Sequence, residues 1–262
     1  MKLDGKVAYV TGGAMGNGLG IVKMFLKYGA TVIIADYNER VFEVEEVLRE
    51  KGYPVKAYHL DIRDARSVQQ SVEEVIKEYE RIDILVNNAG VCKLKPFLEM
   101  TEEDRDYHFG INIDGTWNVT HAIVPYMVKN RYGKIINLSS VTGVMVADPG
   151  EAAYATTKAA LVGFTKALAR EFAPYHINVN AILPGYIKTP MVQGMALDSN
   201  QEDPESVIDG ISQAIPLGRL GKINELGELA AFLASEESSY ITGSSIVIDG
   251  GSTLPETMTM GS

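Results

Sequence analysis

The chain has 262 residues, 46% of them apolar and 22% charged, enough to bury a domain-sized core. Lys and Arg total 24 against 34 Asp and Glu. The resulting formal charge of -10 argues against a general nucleic-acid or anionic-membrane binder, which needs clustered cations. The single cysteine, Cys92, excludes an internal disulfide and a multi-cysteine metal site, and points to a reducing, cytoplasmic compartment. No apolar run reaches the roughly 18 residues of a membrane span, and the apolar segment after Lys6 is too soon interrupted by glycines for a signal sequence.

In chain order, strand-length apolar runs alternate with segments of helical period. Val7 to Val10 predicts a first strand ending in Thr11-Gly12-Gly13, followed by a helix from Leu19 to Leu26. Thr31 to Ala35 predicts a second strand stopping at Asp36, and Val41, Val44, Val47 and Leu48 mark a helix that ends near Gly52. A third strand is expected over Val55 to Ile62, with Val68, Val72, Val75 and Ile76 on the next helix. Ile82 to Val86 is a fourth strand, stopping at Asn87-Asn88-Ala89-Gly90. One long helix is expected from about Glu102 to Lys129, with any adjustment near Pro125. Three more strands follow at Lys134 to Leu138, Ile177 to Leu183 and Ser245 to Ile248, with helices at Ala152 to Phe172 and Leu226 to Leu233. Continuous apolar strands indicate a parallel sheet buried on both faces, and the alternation gives a doubly wound, seven-stranded α/β sheet with helices on both faces. The irregular stretch from Lys188 to Leu220 follows the sixth strand. Ligands of such sheets bind beyond the carboxyl ends of strands, so this stretch is a candidate substrate lid.

Gly12, Gly16 and Gly18 follow the first strand and open a helix. Such a turn lets a pyrophosphate approach free N–H groups at the helix N-terminus, although glycines alone also make plain turns. Asp36 at the end of the second strand can accept hydrogen bonds from both adenosine ribose hydroxyls and would repel a 2′-phosphate. Its other reading is an N-cap of the next helix. No Arg or Lys stands at Ala14, Met15, Asn17, Tyr37 or Asn38, which favours NAD over NADP.

Tyr154 and Lys158 are spaced i, i+4 on a predicted helix and share a face. An ammonium beside a phenol lowers its pKa and makes it an acid/base near neutral pH, although such pairs are also common on helix surfaces. Ser140, just past the fifth strand, can hold a substrate oxygen at the same sheet edge. Asn112, a poor helix former inside the long helix, could support a relay water with its side chain.

With these residues in view, the sequence resembles the short-chain dehydrogenase/reductase family in its compact branch. Thr11-Gly12-Gly13-Ala14-Met15-Gly16-Asn17-Gly18 matches the family's glycine turn, and Asn87-Asn88-Ala89-Gly90 its sheet-stabilising motif. Asn112, Ser140, Tyr154 and Lys158 match its catalytic tetrad, Asp61-Ile62 the pair beside the adenine, and Pro184-Gly185 with Thr189 the segment at the nicotinamide. The resemblance implies a single Rossmann-fold domain over residues 1–262. It implies hydride transfer between NAD and a secondary alcohol or ketone, with Tyr154 as acid/base. It also implies that the cofactor is held by Gly12, Met15, Gly16, Asn17, Gly18 and Leu19, and by Asp36 and Tyr37. Asp61, Ile62, Asn88, Ala89 and Gly90 continue that surface, which closes with Tyr154, Lys158, Pro184, Gly185, Ile187 and Thr189. Asn17 departs from the usual Ile and could add a polar contact near the pyrophosphate. The wider pattern, including Asp148-Pro149-Gly150-Glu151 and the segment from Asp249, is similar to bacterial oxidoreductases of the UcpA type, which bring no settled substrate.

Other residues keep two readings. Cys92 is a small buried thiol or a border of the substrate pocket. Glu151 is a first-turn carboxylate favoured by the helix dipole or a contact for a polar substrate. Met145, Met191 and Met195 fill core or line an apolar site. The four histidines are dispersed, and no metal site is expected. Family members of this size usually pair through the helices of Asn112 and Tyr154 and form tetramers, so a homotetramer is expected. Trp117 is packing or subunit contact, and the tail over residues 252–262 is expected to fold over a neighbour or near an active site. A non-catalytic, NAD-sensing protein on the same fold is the competing function. An epimerase or dehydratase fits less well, because those proteins carry a longer C-terminal region.

Overall fold

The structure, a computed structural model, describes residues 1–254. Its first elements are β1 (Val7–Thr11), α1 (Gly16–Lys27), β2 (Thr31–Asp36), α2 (Arg40–Glu50) and β3 (Val55–His59). The chain continues through α3 (Ala65–Tyr79), β4 (Ile84–Asn87), α4 (Glu102–Phe109), α5 (Thr116–Asn130) and β5 (Gly133–Leu138). It then forms α6 (Ala152–Phe172), β6 (Ile177–Pro184), α7 (Pro190–Ser199), α8 (Pro204–Ala214), α9 (Ile223–Leu233) and β7 (Ser245–Ile248). The strands pair in parallel as one seven-stranded sheet, in the order β3-β2-β1-β4-β5-β6-β7.

Successive side chains of a strand point to opposite faces, so two-sided burial demands apolar runs without polar gaps. Ala8, Val10, Val32 and Ile34 enter the core on one face, with Ile21 of α1 and Leu226 of α9. Tyr9, Ile33, Leu85 and Ile135 enter the core on the other, with Val72 of α3 and Ile123 of α5. This is the doubly wound α/β sheet expected from the apolar runs. Among the described residues, no helix is long and apolar enough to cross a membrane.

Three elements differ from expectation. β3 ends at His59 rather than Ile62, because Asp61 turns the chain. Its Oδ1 accepts the Arg63 N–H at 3.0 Å, and Asp64 then caps α3 by accepting from Arg66 and Ser67. The long helix is divided by a wide π-type turn over Gly110–Gly115, while Pro125 lies inside α5 without ending it. A Cβ at Gly115 would sit 2.5 Å from the Ile62 side chain, so the turn depends on that glycine. The stretch from Lys188 to Leu220 holds two helices. Each has proline in its first turn, and Thr189 and Asp203 cap them by accepting the N–H groups of Val192 and Ser206.

The carboxyl ends of β1, β2, β4, β5 and β6 open on one edge. Strand order reverses between β1 and β4, which creates a crevice there. Asn88 Nδ2 donates to the carbonyls of Thr11 at 3.0 Å and Gly12 at 2.8 Å, joining the two strand ends across the crevice. Asn87 Nδ2 donates to Asn137 Oδ1 and Thr120 Oγ1, each at 2.9 Å, tying β4 to β5 and α5.

Candidate active site

A cavity of about 690 Å³ runs along this edge, from Asp36 and Asp61 at one end to Tyr154 and Met195 at the other. The glycine turn forms its floor. Gly12 and Gly16 have φ of 66° and 52°, the left-handed region in which a side chain is strained. A Cβ at Gly18 would lie 2.1 Å from the Gly12 carbonyl oxygen, so the helix can start here only without one. The first turn of α1 carries neither a side-chain cap nor a carboxylate, which leaves its N–H groups and dipole to an anion. Asn17 Oδ1 is buried with no hydrogen-bond partner among the described residues, as expected of an atom that a ligand or water must satisfy. These features fit the pyrophosphate of a dinucleotide.

Asp36 braces the same turn. Its Oδ2 accepts the Ala14 N–H and its Oδ1 the Asn38 N–H, both at 2.9 Å, and it lines the cavity. It does not cap α2, whose N-cap is Glu39, so the helix-cap alternative is set aside. Arg63 also lines this end and grips Asp61, with Nη2 2.6 Å from Oδ2. This pairing pulls the Asp61 carboxyl below its usual range. No motif flags Arg63, and a survey of the positions near Asp36 in sequence misses it.

At the other end, α6 presents Tyr154 and Lys158 to Ser140 at the end of β5. Lys158 is 5% exposed, and its Nζ donates to the Leu138 carbonyl at 2.8 Å and lies 5.6 Å from the Tyr154 ring centre. Burial pushes the ammonium down to about 8. Tyr154 is half-buried and lines the cavity. Burial therefore raises the phenol above its ordinary value, and the Ser140 hydroxyl only partly opposes this. The expected lowering of Tyr154 by Lys158 is thus replaced by a shift in the opposite direction. Both groups are desolvated, and each resists the charged form.

Asn112 is buried but does not line the cavity. Its Nδ2 donates to the Val91 carbonyl at 3.0 Å and Thr157 Oγ1 at 2.9 Å, and its Oδ1 accepts the Val91 N–H at 2.9 Å. These bonds fasten the π-type turn to α6 and to the segment after β4.

Most of the other expected residues do meet at the cavity. Gly12, Met15, Gly16 and Asn17 line it, as do Tyr37, Asp61 and Ile62. Asn88, Ala89 and Gly90 form its middle, and Pro184, Gly185 and Thr189 its far wall. Gly18, Leu19 and Ile187 do not line it. Gly18 acts through the close approach already described. Leu19 continues α1, and Ile187 is 3% exposed and bridges to Gly221. Cys92, Glu151, Met191 and Met195 do line the cavity, and burial pushes the Cys92 thiol up to about 11. Sequence reasoning missed Tyr107, Thr142 and Tyr186. The last two stand within two residues of Ser140 and Gly185, and that adjacency was the available sign. Met258 and Met260 of the tail lie outside the described residues.

The family model described as enoyl-(acyl carrier protein) reductase matches residues 12–253. The chain belongs to the short-chain dehydrogenase/reductase family. It is 54% identical over 260 residues to the oxidoreductase UcpA of Salmonella typhimurium, covering 99% of each chain. It is 42% identical over 254 residues to the 3-oxoacyl-(acyl-carrier-protein) reductase FabG of Thermotoga maritima, covering 96% of this chain and 99% of the other. Among solved structures, the aldohexose dehydrogenase of Thermoplasma acidophilum superposes with a TM-score of 0.90 at 30% identity, covering 99% of this chain and 98% of that one. This short-chain dehydrogenase/reductase is therefore an oxidoreductase with the Rossmann fold of its family, and its likeness to the UcpA type extends over the whole chain.

Proposed function

We propose that this enzyme transfers a hydride between NAD and a secondary alcohol or ketone. The observation that carries this reading is that Ser140, Tyr154 and Lys158 wall the same cavity as Asp36 and the glycine turn. The cofactor supplies or accepts the hydride. The protein's own residues do the rest. The turn and the α1 N-terminus receive the pyrophosphate. Asp36 takes the ribose hydroxyls and opposes a 2′-phosphate, and Arg63 is committed to Asp61. Ser140 holds the substrate oxygen. In reduction Tyr154, kept protonated by burial, donates its proton to that oxygen; in oxidation the phenol must first lose its proton, which burial opposes, and the tyrosinate then takes the alcohol proton. Lys158, titrating at about 8, holds the nicotinamide ribose and can replenish the Tyr154 proton near neutral pH. Asn112 positions α6 rather than touching the reacting atoms. The names of the relatives, an oxoacyl reductase and an aldohexose dehydrogenase, support carbonyl and alcohol chemistry.

Trp117 is 57% exposed and stacks on Phe164 at 5.4 Å, giving α5 and α6 a shared outward aromatic face. It supports pairing of this face in a homotetramer, and light scattering showing a stable monomer at micromolar concentration would oppose that. The function is tested by screening secondary alcohols with NAD and NADP while following reduced-cofactor absorbance. Turnover is expected with NAD at about tenfold or greater advantage over NADP. An NADP preference contradicts the cofactor reading, and NAD binding without turnover across the panel favours the NAD-sensing alternative.

A further inference from the structure

Beyond Tyr154 the cavity adjoins a second chamber of about 230 Å³. Glu151, Tyr186, Val192 and Met195 line both, so a substrate held at Tyr154 has its remaining atoms directed past these four side chains. Glu151 is the N-cap of α6, three residues before Tyr154, and lines the same cavity. It is 5% exposed, and its Oε2 accepts the Asp148 N–H at 2.9 Å. Burial lifts its carboxyl above the usual value. The Asp148 N–H opposes this lift, and the Asp148 carboxylate adds to it. Burial and the same two carboxylates also keep the Tyr186 phenol protonated.

Positive charge is scarce here. Among the described residues, only Arg63 and Lys158 are basic in the lining of the two chambers. Arg63 is at the far end on Asp61, and Lys158 donates to Leu138. Lys95, close by in the chain, pairs with Asp104. Residues 255–262 contain no Lys or Arg. A carboxylate or phosphate carried into this chamber would lose water and meet Glu151 and Asp148 with no cation to offset them. A hydroxyl carried there donates to a carboxylate and forms a charge-assisted hydrogen bond.

We propose that Glu151, with Asp148 behind it, sets substrate choice. The enzyme takes neutral hydroxylated carbonyl compounds or alcohols of the polyol and sugar type, and rejects substrates with an anionic group beyond the reacting carbon. This inference rests on the reading of Tyr154 as the group at the reacting carbon.

The test uses three five-carbon methyl ketones that differ only at the far end: hydroxypentanone with a terminal hydroxyl, pentanone, and levulinate with a carboxylate. Binding to the NADH-loaded enzyme is measured by calorimetry, and turnover by NADH absorbance. In the wild-type protein, hydroxypentanone is expected to bind about tenfold tighter than pentanone, and levulinate more weakly than either. Glu151→Gln is expected to shrink the hydroxyl advantage to about twofold and bring levulinate level with pentanone. The exposed Asp148→Asn is expected to move both in the same direction by less, and it serves if Glu151→Gln fails to fold. Levulinate binding best in the wild type, an unchanged order in the variants, or no binding of hydroxypentanone overturns the proposal. The expected binding order without turnover of any of the three overturns the hydride-transfer reading and leaves this one standing.

Discussion

The two ends of the cavity are made of different materials. At the Asp36 end the floor is the backbone of the glycine turn, with the Ala14 N–H on the Asp36 carboxylate, and residues such as Tyr37, Asp61 and Arg63 line it as well. Along that floor the sequence need only leave out side chains, as at Gly18. At the Glu151 end the surface is residues brought by separate segments: Cys92 after β4, Thr142 after β5, Glu151 at the N-cap of α6, Tyr154 of α6, and Met191 and Met195 of α7. A backbone surface suits a ligand of fixed shape. A side-chain surface can be changed residue by residue, which is where a substrate preference can differ between proteins of the same fold.

Substitutions at each end sharpen this contrast. The largest effect is expected from Gly18→Ala, whose Cβ would meet the Gly12 carbonyl oxygen at 2.1 Å. Neither backbone segment can yield without moving the turn. A stability loss of about 3 kcal/mol in denaturant titration should accompany loss of NADH binding. Unchanged NADH affinity would break the claim that backbone shape makes this end.

Next comes Lys158. Its folded-state pKa of about 8 lies below the ordinary 10.5, so between these pH values the unfolded chain binds more protons than the native one. Wild-type stability relative to Lys158→Met should therefore rise over that window, by about 3 kcal/mol, and fall as pH drops through about 8. Parallel stability curves for the two proteins would show that Lys158 is not buried as a charge. The smallest of these effects is expected from Asp36→Ala, which should reduce the NAD-over-NADP ratio of kcat/KM by about tenfold. An unchanged ratio would move cofactor choice away from Asp36.

The contrast also explains what the sequence revealed. The seven strands could be read because two-sided burial leaves no polar gaps in them. The glycine turn was legible because glycine is needed there for geometry. Tyr154, Lys158 and Ser140 were legible from their spacing and from their place at the sheet edge. The π-type turn was not, because it depends on Gly115 passing Ile62 and on Asn112 reaching Val91 and Thr157, contacts between segments distant in the chain. The helices α7 and α8 were hidden by a mixed composition, although Thr189-Pro190 and Asp203-Pro204 are cap-and-proline starts. The direction of the Tyr154 shift was not legible either, since desolvation depends on what encloses the hydroxyl.

We infer that one cavity joins a dinucleotide surface to a tyrosine acid. NADH binding and ketone turnover in the same preparation of Tyr154→Phe decide between this arrangement and its alternatives. Binding within about threefold of wild type, with turnover lowered about a hundred- to ten-thousandfold, is the predicted result. Near wild-type turnover in that variant would contradict it.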